Sequence, residues 1–176
     1  MNVLLYFGSF NPIHKGHVGL AEYMLSRDDV DEVWLVLSPH NPLKDVAGLW
    51  DEQKRLELVE KACEQHKGLK ACTVEFGLPK PNYTINTLRH LSRQFPCHSF
   101  SMLIGADNYE IFDKWKSWQE ILANYKIFVY PRSGSNRILG RFEEMEWLMD
   151  APLFNISSTE IRERLARGEC VDNLLP

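Results

Sequence analysis

The chain of 176 residues lacks a basic excess, a closely spaced cysteine pair and a long apolar run. Lys and Arg number 20 against 24 Asp and Glu, a net charge of −4. Binding to nucleic acid, which usually leaves a positive surplus, is therefore not expected. A small anionic ligand stays open, because a few cations and backbone N–H groups suffice for it. The four cysteines stand at 63, 72, 97 and 170. None forms a C-x-x-C pair, which disfavours a zinc ribbon or redox dithiol and points to four reduced thiols in a cytoplasmic protein. The opening run Met1-Asn2-Val3-Leu4-Leu5-Tyr6-Phe7 carries no basic segment and is far too short for a membrane span. It reads instead as a first buried strand. The glycine-rich phosphate signatures G-x-G-x-x-G and G-x-x-x-x-G-K-[ST] are also absent.

What is present is an ordinary globular composition, 44% apolar and 25% charged, sufficient for a real core in a single domain spanning 1–176. No repeat, low-complexity tract or composition break divides the chain. Short apolar runs alternate with amphipathic stretches of helix length, the βαβ pattern of an α/β fold with an open parallel sheet and helices on both faces. The expected strands are Val3–Phe7, Glu32–Leu37, Ala71–Glu75, Phe100–Ile104 and Lys126–Tyr130. Several are almost continuously apolar, as parallel strands covered on both faces must be. The expected helices are Gly16–Ser26, Asp51–Glu64, Thr84–Gln94, Gln119–Asn124, Ile138–Met149 and Ser158–Arg167. In the second, Leu56, Val59 and Cys63 form an apolar stripe.

The first strand-to-helix junction is the most informative segment. Gly8-Ser9-Phe10-Asn11-Pro12-Ile13-His14-Lys15-Gly16-His17 runs from the end of a strand into a helix start. A helix N-terminus offers unpaired N–H groups and a positive dipole end, so phosphate is its natural guest. Gly8 lets backbone approach a ligand, and Gly16 is expected to keep the first turn clear for a bulky phosphate. His14 and His17, three residues apart, fall on one side of that turn and can donate to phosphate oxygens. A metal site would need another close ligand, and none stands nearby in sequence. Near the other end, Asn155-Ile156-Ser157-Ser158-Thr159-Glu160-Ile161-Arg162 is a second loop running into a helix, with the S-x-x-E spacing of a capping box. Arg162, one turn in, can reach an anion at that terminus. Two such helix starts can converge on one nucleotide.

Together the two segments resemble the nucleotidyltransferase superfamily marked by G-x-F-x-P-x-H-x-G-H and I-S-S-T-x-[IV]-R. Intermediate segments are similar to those of bacterial nicotinate mononucleotide adenylyltransferases: Pro39-His40-Asn41-Pro42-Leu43-Lys44, Asn82-Tyr83-Thr84-Ile85-Asn86-Thr87-Leu88, Leu103-Ile104-Gly105-Ala106-Asp107 followed by Trp115, and Val129-Tyr130-Pro131-Arg132. The resemblance runs from about residue 3 to 175. It departs from the common pattern at Ser9 and Asn11, where Thr and Asp are usual, and family members often continue with one more short helix.

The resemblance implies a Rossmann-like nucleotidyltransferase fold and adenylyl transfer from Mg-ATP to a pyridine mononucleotide, with Mg²⁺ carried by the ATP. Gly8, Ser9, Phe10, His14, His17, Gly105, Asp107, Asn155, Ile156, Ser157, Ser158 and Arg162 would form the ATP side, with His14, His17 and Arg162 catalytic. Lys44, Thr84, Trp115 and Arg132 would form the mononucleotide side. A homo-oligomer is compatible with it. A phosphopantetheine adenylyltransferase, a cytidylyltransferase and a catalytically silent nucleotide sensor share the end motifs and stay open at this point.

Overall fold

The computed structural model describes residues 1–39, 48–132 and 141–176. Among these, strands β1 (Asn2–Gly8), β2 (Glu32–Leu37), β3 (Leu69–Cys72), β4 (Ser99–Gly105), β5 (Lys126–Tyr130) and β6 (Glu146–Trp147) form one sheet. Its order is β3-β2-β1-β4-β5-β6, and every pairing is parallel. The helices are α1 (Lys15–Leu25), α2 (Glu52–Gln65), α3 (Thr84–Gln94), α4 (Ala106–Glu110), α5 (Trp118–Asn124) and α6 (Ser158–Ala166). The expected Rossmann-like α/β sheet is therefore the observed one.

Alternation along the strands sorts the core onto two faces. Leu4, Tyr6, Val33, Leu35 and Leu37 pack with Val18, Ala21 and Met24 of α1 and Val59 and Ala62 of α2. Val3, Leu5, Trp34, Val36, Met102 and Ile104 pack on the other face with Ile85, Leu88 and Leu91 of α3 and Ile121 of α5. With both faces covered, each strand reads as an almost unbroken apolar run. The order reverses between β1 and β4, neighbours in space with β2 and β3 lying to one side and β5 and β6 to the other. That switch point opens a crevice at the carboxyl ends of the strands, the general ligand position of open α/β sheets.

Three expectations are corrected. The expected strand Ala71–Glu75 is shifted. Val33 N–H donates to Gly68 O, pairing with β2 starts at Leu69 and stops at Cys72, and Val74–Phe76 is a turn of 3₁₀ helix. The expected helix Ile138–Met149 is not one over its described part, 141–149. Phe142, Met145 and Leu148 are buried at a spacing of three, which imitates a helical stripe, but the chain there makes turns and pairs as β6 on the edge of β5. In α2 the inward stripe is Arg55, Val59 and Ala62, with Leu56 and Cys63 half-buried beside it.

Leu35 is fully buried at the middle of β2, between β1 and β3. Leu35→Ala is expected to lower unfolding free energy by about 2–5 kcal/mol through lost burial and a residual cavity. Urea denaturation should show a lower midpoint with an unchanged slope.

Candidate active site

β1 delivers the first loop to the switch point. Phe10 takes a left-handed backbone with φ of 43°, and the Asn11–Pro12 peptide is cis. A non-glycine residue with positive φ costs on the order of 1–3 kcal/mol and persists only where its surroundings impose it. Here the Phe10 ring is buried, lying edge-on to Tyr6 at 5.7 Å and to His17 at 5.1 Å.

The loop ends in a reciprocal cap made by two imidazoles. His14 is the N-cap of α1, and its Nδ1 accepts from Gly16 N at 3.1 Å and His17 N at 3.4 Å. The His17 Nδ1 accepts in return from His14 N at 3.2 Å. The rings stack with centroids 3.7 Å apart and planes 23° from parallel. A nitrogen that accepts carries no proton, so in each neutral ring the proton sits on Nε2. The cap thus fixes one tautomer for both histidines, with the ring proton on Nε2. Burial, helped by the positive charge of Arg132, pushes the His14 imidazole down to about 4. His14 is therefore a neutral donor at physiological pH.

The cap corrects two expectations. The N–H groups of the first turn of α1 are not idle: Gly16 and His17 donate to His14, Lys15 N donates to Leu174 O at 2.9 Å, and Val18 N donates to His14 O. What α1 presents to an anion is its dipole and the two imidazoles. The bare face of Gly16 is also already filled. A Cβ there would lie 3.0 Å from the His14 ring and 3.1 Å from Phe154, and one at Gly19 would overlap the Phe154 ring.

The second segment docks on the first. Ser158 Oγ donates to Pro12 O at 2.9 Å, and Arg162 Nη1 donates to Asn11 O at 2.8 Å, with Nη2 bonded to Thr159 Oγ1 at 3.3 Å. Ser157 caps α6 by accepting from Glu160 N. Only this half of the expected capping box is present, because the Glu160 carboxylate pairs with Arg164 at 2.6 Å. Asn155 is exposed and Ile156 half-buried on the approach to the helix. The two helix starts do converge, through side chains of α6 bonded to carbonyls of the first loop.

Across the switch point, Gly105 ends β4 and is the N-cap of α4. A Cβ on it would lie 2.5 Å from Asp107 Oδ1 and 3.2 Å from the Tyr130 phenol, so a larger residue would displace the Asp107 carboxylate and crowd the tyrosine. Asp107 sits exposed in the first turn, 3.7 Å from Arg132, which also bonds the Tyr130 hydroxyl at 3.4 Å. Arg132 also stands near enough to His14 for its charge to disfavour the imidazolium. Thr84 is the first residue of α3, whose N-terminus has no side-chain cap. Trp115 is half-buried, tilted on Phe112 at 5.3 Å, and its buried Nε1 has no hydrogen-bond partner. Lys44 lies outside the described residues.

Two features escaped the sequence reading. Arg55 is fully buried and bonded to carbonyls of three loops, and its sequence signal was a charge standing on the inward stripe with Val59 and Ala62. Glu75 is buried, accepts from Thr87 Oγ1 at 2.8 Å, and has its carboxyl pushed up by burial. No local pattern announced that pairing.

A crevice at the switch point, flanked by a helix start bearing two imidazoles and by a second helix start bearing an arginine, is the arrangement of a nucleotidyltransferase. The chain belongs to the cytidylyltransferase-like family, matched over residues 5–164. It is 45% identical to the "Probable nicotinate-nucleotide adenylyltransferase" of Flavobacterium psychrophilum over the whole of this chain and 92% of the relative. It is 43% identical to the protein of the same name from Bacteroides fragilis, over 94% of this chain and 82% of the relative. Within the larger family, the chain belongs to the nicotinate-nucleotide adenylyltransferases. A solved structure of Plasmodium falciparum nicotinic acid mononucleotide adenylyltransferase complexed with NaAD shares the fold, with a TM-score of 0.71 and 17% identity over 98% of this chain and 87% of that one.

The low titration point of His14 has a consequence for stability. An unfolded histidine titrates near 6.5. Between about 6.5 and about 4 the unfolded chain takes up a proton that folded His14 refuses, so stability rises with pH across that window and falls on acidification. At about 1.4 kcal/mol per pH unit, the loss from this group is on the order of 3 kcal/mol by pH 4. His14→Asn keeps a capping acceptor that does not titrate. Urea midpoints from pH 7 to 4 should fall less steeply for the variant than for the wild type; parallel curves would refute the assignment.

Proposed function

We propose that the chain transfers the adenylyl group of Mg-ATP to nicotinate mononucleotide, giving nicotinate adenine dinucleotide and pyrophosphate in the cytoplasm. The observation that carries this reading is the reciprocal imidazole cap at the switch point, with both protons on Nε2. An oxygen of the mononucleotide 5′-phosphate attacks the α-phosphorus of ATP. The bond from the α-phosphorus to the bridging oxygen of the β-phosphate breaks, and pyrophosphate leaves with that electron pair. The nucleophile is already an anion, so no general base is required. Catalysis is then positioning and stabilisation of charge on the phosphate oxygens.

His14 and His17 donate from Nε2–H to oxygens of the α/β region, and Ser9, Ser158 and Arg162 hold the outgoing pyrophosphate. Gly8 and Phe10 shape the loop beneath the nucleotide, while Gly105, Asp107, Asn155, Ile156 and Ser157 complete the ATP side. The side chains supplied here are mostly donors and cations, with Asp107 the one carboxylate, a set suited to triphosphate oxygens. Magnesium therefore arrives on the triphosphate of the substrate, where it neutralises charge, in keeping with its habit of binding through phosphates and few carboxylates. On the acceptor side, the uncapped start of α3 at Thr84 is suited to a nicotinate carboxylate and Trp115 to stacking on the pyridine ring. Arg132 and Lys44 are assigned to the mononucleotide phosphate.

His17→Ala, assayed by pyrophosphate release in a protein that still melts cooperatively, should lower kcat by about 10²–10³, the usual cost of losing one such donor. An undiminished kcat would remove His17 from the mechanism. In an acceptor panel of nicotinate mononucleotide, its nicotinamide counterpart and phosphopantetheine, the first should give the highest kcat/KM. It should exceed the amide by about tenfold, the scale of one anion at a helix start. Equal use of phosphopantetheine would overturn the assignment of the acceptor.

A further inference from the structure

Arg55 is completely buried, yet among the described residues its four hydrogen-bond acceptors are backbone carbonyls, not carboxylates. Its Nε donates to Trp50 O at 3.0 Å, its Nη1 to Ser9 O at 2.7 Å and Ser38 O at 2.8 Å, and its Nη2 to Pro39 O at 3.2 Å. The carboxylates of Glu52 and Asp51 act on it only through space, and burial outweighs them. Burying a cation with no hydrogen-bonded carboxylate is costly, and a packed apolar residue would seal α2 to the sheet with less penalty. What an apolar residue cannot do is bind several carbonyls at fixed angles, as the planar guanidinium fork does.

The carbonyls come from three places. Ser9 belongs to the nucleotide loop after β1, Ser38 and Pro39 to the end of β2, and Trp50 to the entry of α2. Asn11 reinforces the same joint from the other side. Its Nδ2 donates to Gly48 O at 2.9 Å, and its Oδ1 accepts from Trp50 N at 2.9 Å. Ser38 N also donates to Gly8 O at 2.9 Å. From Ser38 the connection continues. Its side chain lies close enough to the buried Glu75 carboxyl to favour its charged form, and that carboxyl accepts from Thr87 on α3, the helix whose first residue is Thr84. A path of hydrogen bonds and one close polar contact therefore runs from the loop carrying His14 to the helix assigned to the acceptor.

We propose that Arg55 is a positioning residue: it sets the distance between the nucleotide loop and the acceptor side, and so aligns the attacking phosphate with the α-phosphorus of ATP. This rests on the adenylyl-transfer reading above. A residue that aligns two reactants differs from one that merely stabilises the fold. Each reactant alone should still bind, while turnover per folded molecule falls.

Arg55→Lys keeps a buried cation but replaces the fork with a single point donor. Assays run below its melting temperature should show kcat per folded molecule reduced about 10- to 100-fold, the scale of a misplacement near 1 Å. Dissociation constants for ATP and for nicotinate mononucleotide, each titrated alone by calorimetry, should stay within about threefold of wild type. A kcat within about twofold of wild type, or a loss carried wholly by the dissociation constants, would overturn the proposal. Should Arg55→Lys fail to fold, Asn11→Ala decides by the same criteria, since it severs the loop from Gly48 and Trp50 without stranding a charge. Wild type is measured alongside. No pyrophosphate release from it would overturn the functional reading and this proposal together, whereas an active wild type with an unimpaired variant overturns this proposal alone.

Discussion

The site depends on one exchange of hydrogen bonds, in which two imidazoles cap the same helix start through their Nδ1 atoms. Helix starts are ordinarily closed by hydroxyls, carboxylates or amides. Using histidine instead couples secondary structure to chemistry. The nitrogen that caps the helix and the nitrogen that keeps the proton are on opposite sides of one rigid ring, so the helix cannot form correctly without fixing the tautomer. Burial then keeps His14 uncharged, and a neutral imidazole can donate a hydrogen bond without taking part in proton transfer.

Everything else at the switch point leans on the loop that leads into this cap. Ser158 and Arg162 bond the carbonyls of Pro12 and Asn11, Arg55 bonds that of Ser9, and Tyr6 lies under Phe10 and His17. The loop pays for its unusual backbone at Phe10 by being held from three directions. Such over-determination is what the proposed mechanism would require, because positioning places catalytic power in where donors stand and not in a reactive side chain.

Much of this was legible in the sequence because its signals were local. Strands covered on both faces read as apolar runs, and β2, β5 and α3 fell on their expected boundaries. The two loop-to-helix segments were recognisable from glycine, histidine, serine and arginine at short spacing. Most of what the sequence did not disclose was set by partners far along the chain. That Lys15 N is satisfied by Leu174 O is such a case. Glu160 failed for a local reason: the i,i+4 pair with Arg164 competes with the box for the same carboxylate, and spacing allows both. The 141–149 segment misled for a related reason: burial every third residue suits a helix, but the unpaired edge of β5 offered it another role. Arg55 was visible only as an anomaly, a charge on an inward stripe, whose meaning came from carbonyls 16 to 46 residues away.

The Phe154 ring fills the bare backbone of α1 at Gly19 and its Cβ approaches Gly16, so residues near opposite ends of the chain occupy one another's space. Gly19 cannot gain a side chain while that ring stays, one at Gly16 would press on the His14 ring and Phe154 Cβ, and a smaller residue at 154 would leave an open slot along α1. In evolutionary terms the two ends form one heritable unit in which a change on one side calls for an answer on the other. The stretch between them, which carries Thr84 and Trp115, is under no such bond to the ring. An ancestral donor-binding frame could therefore have been kept whole while its middle was rewritten for successive acceptors.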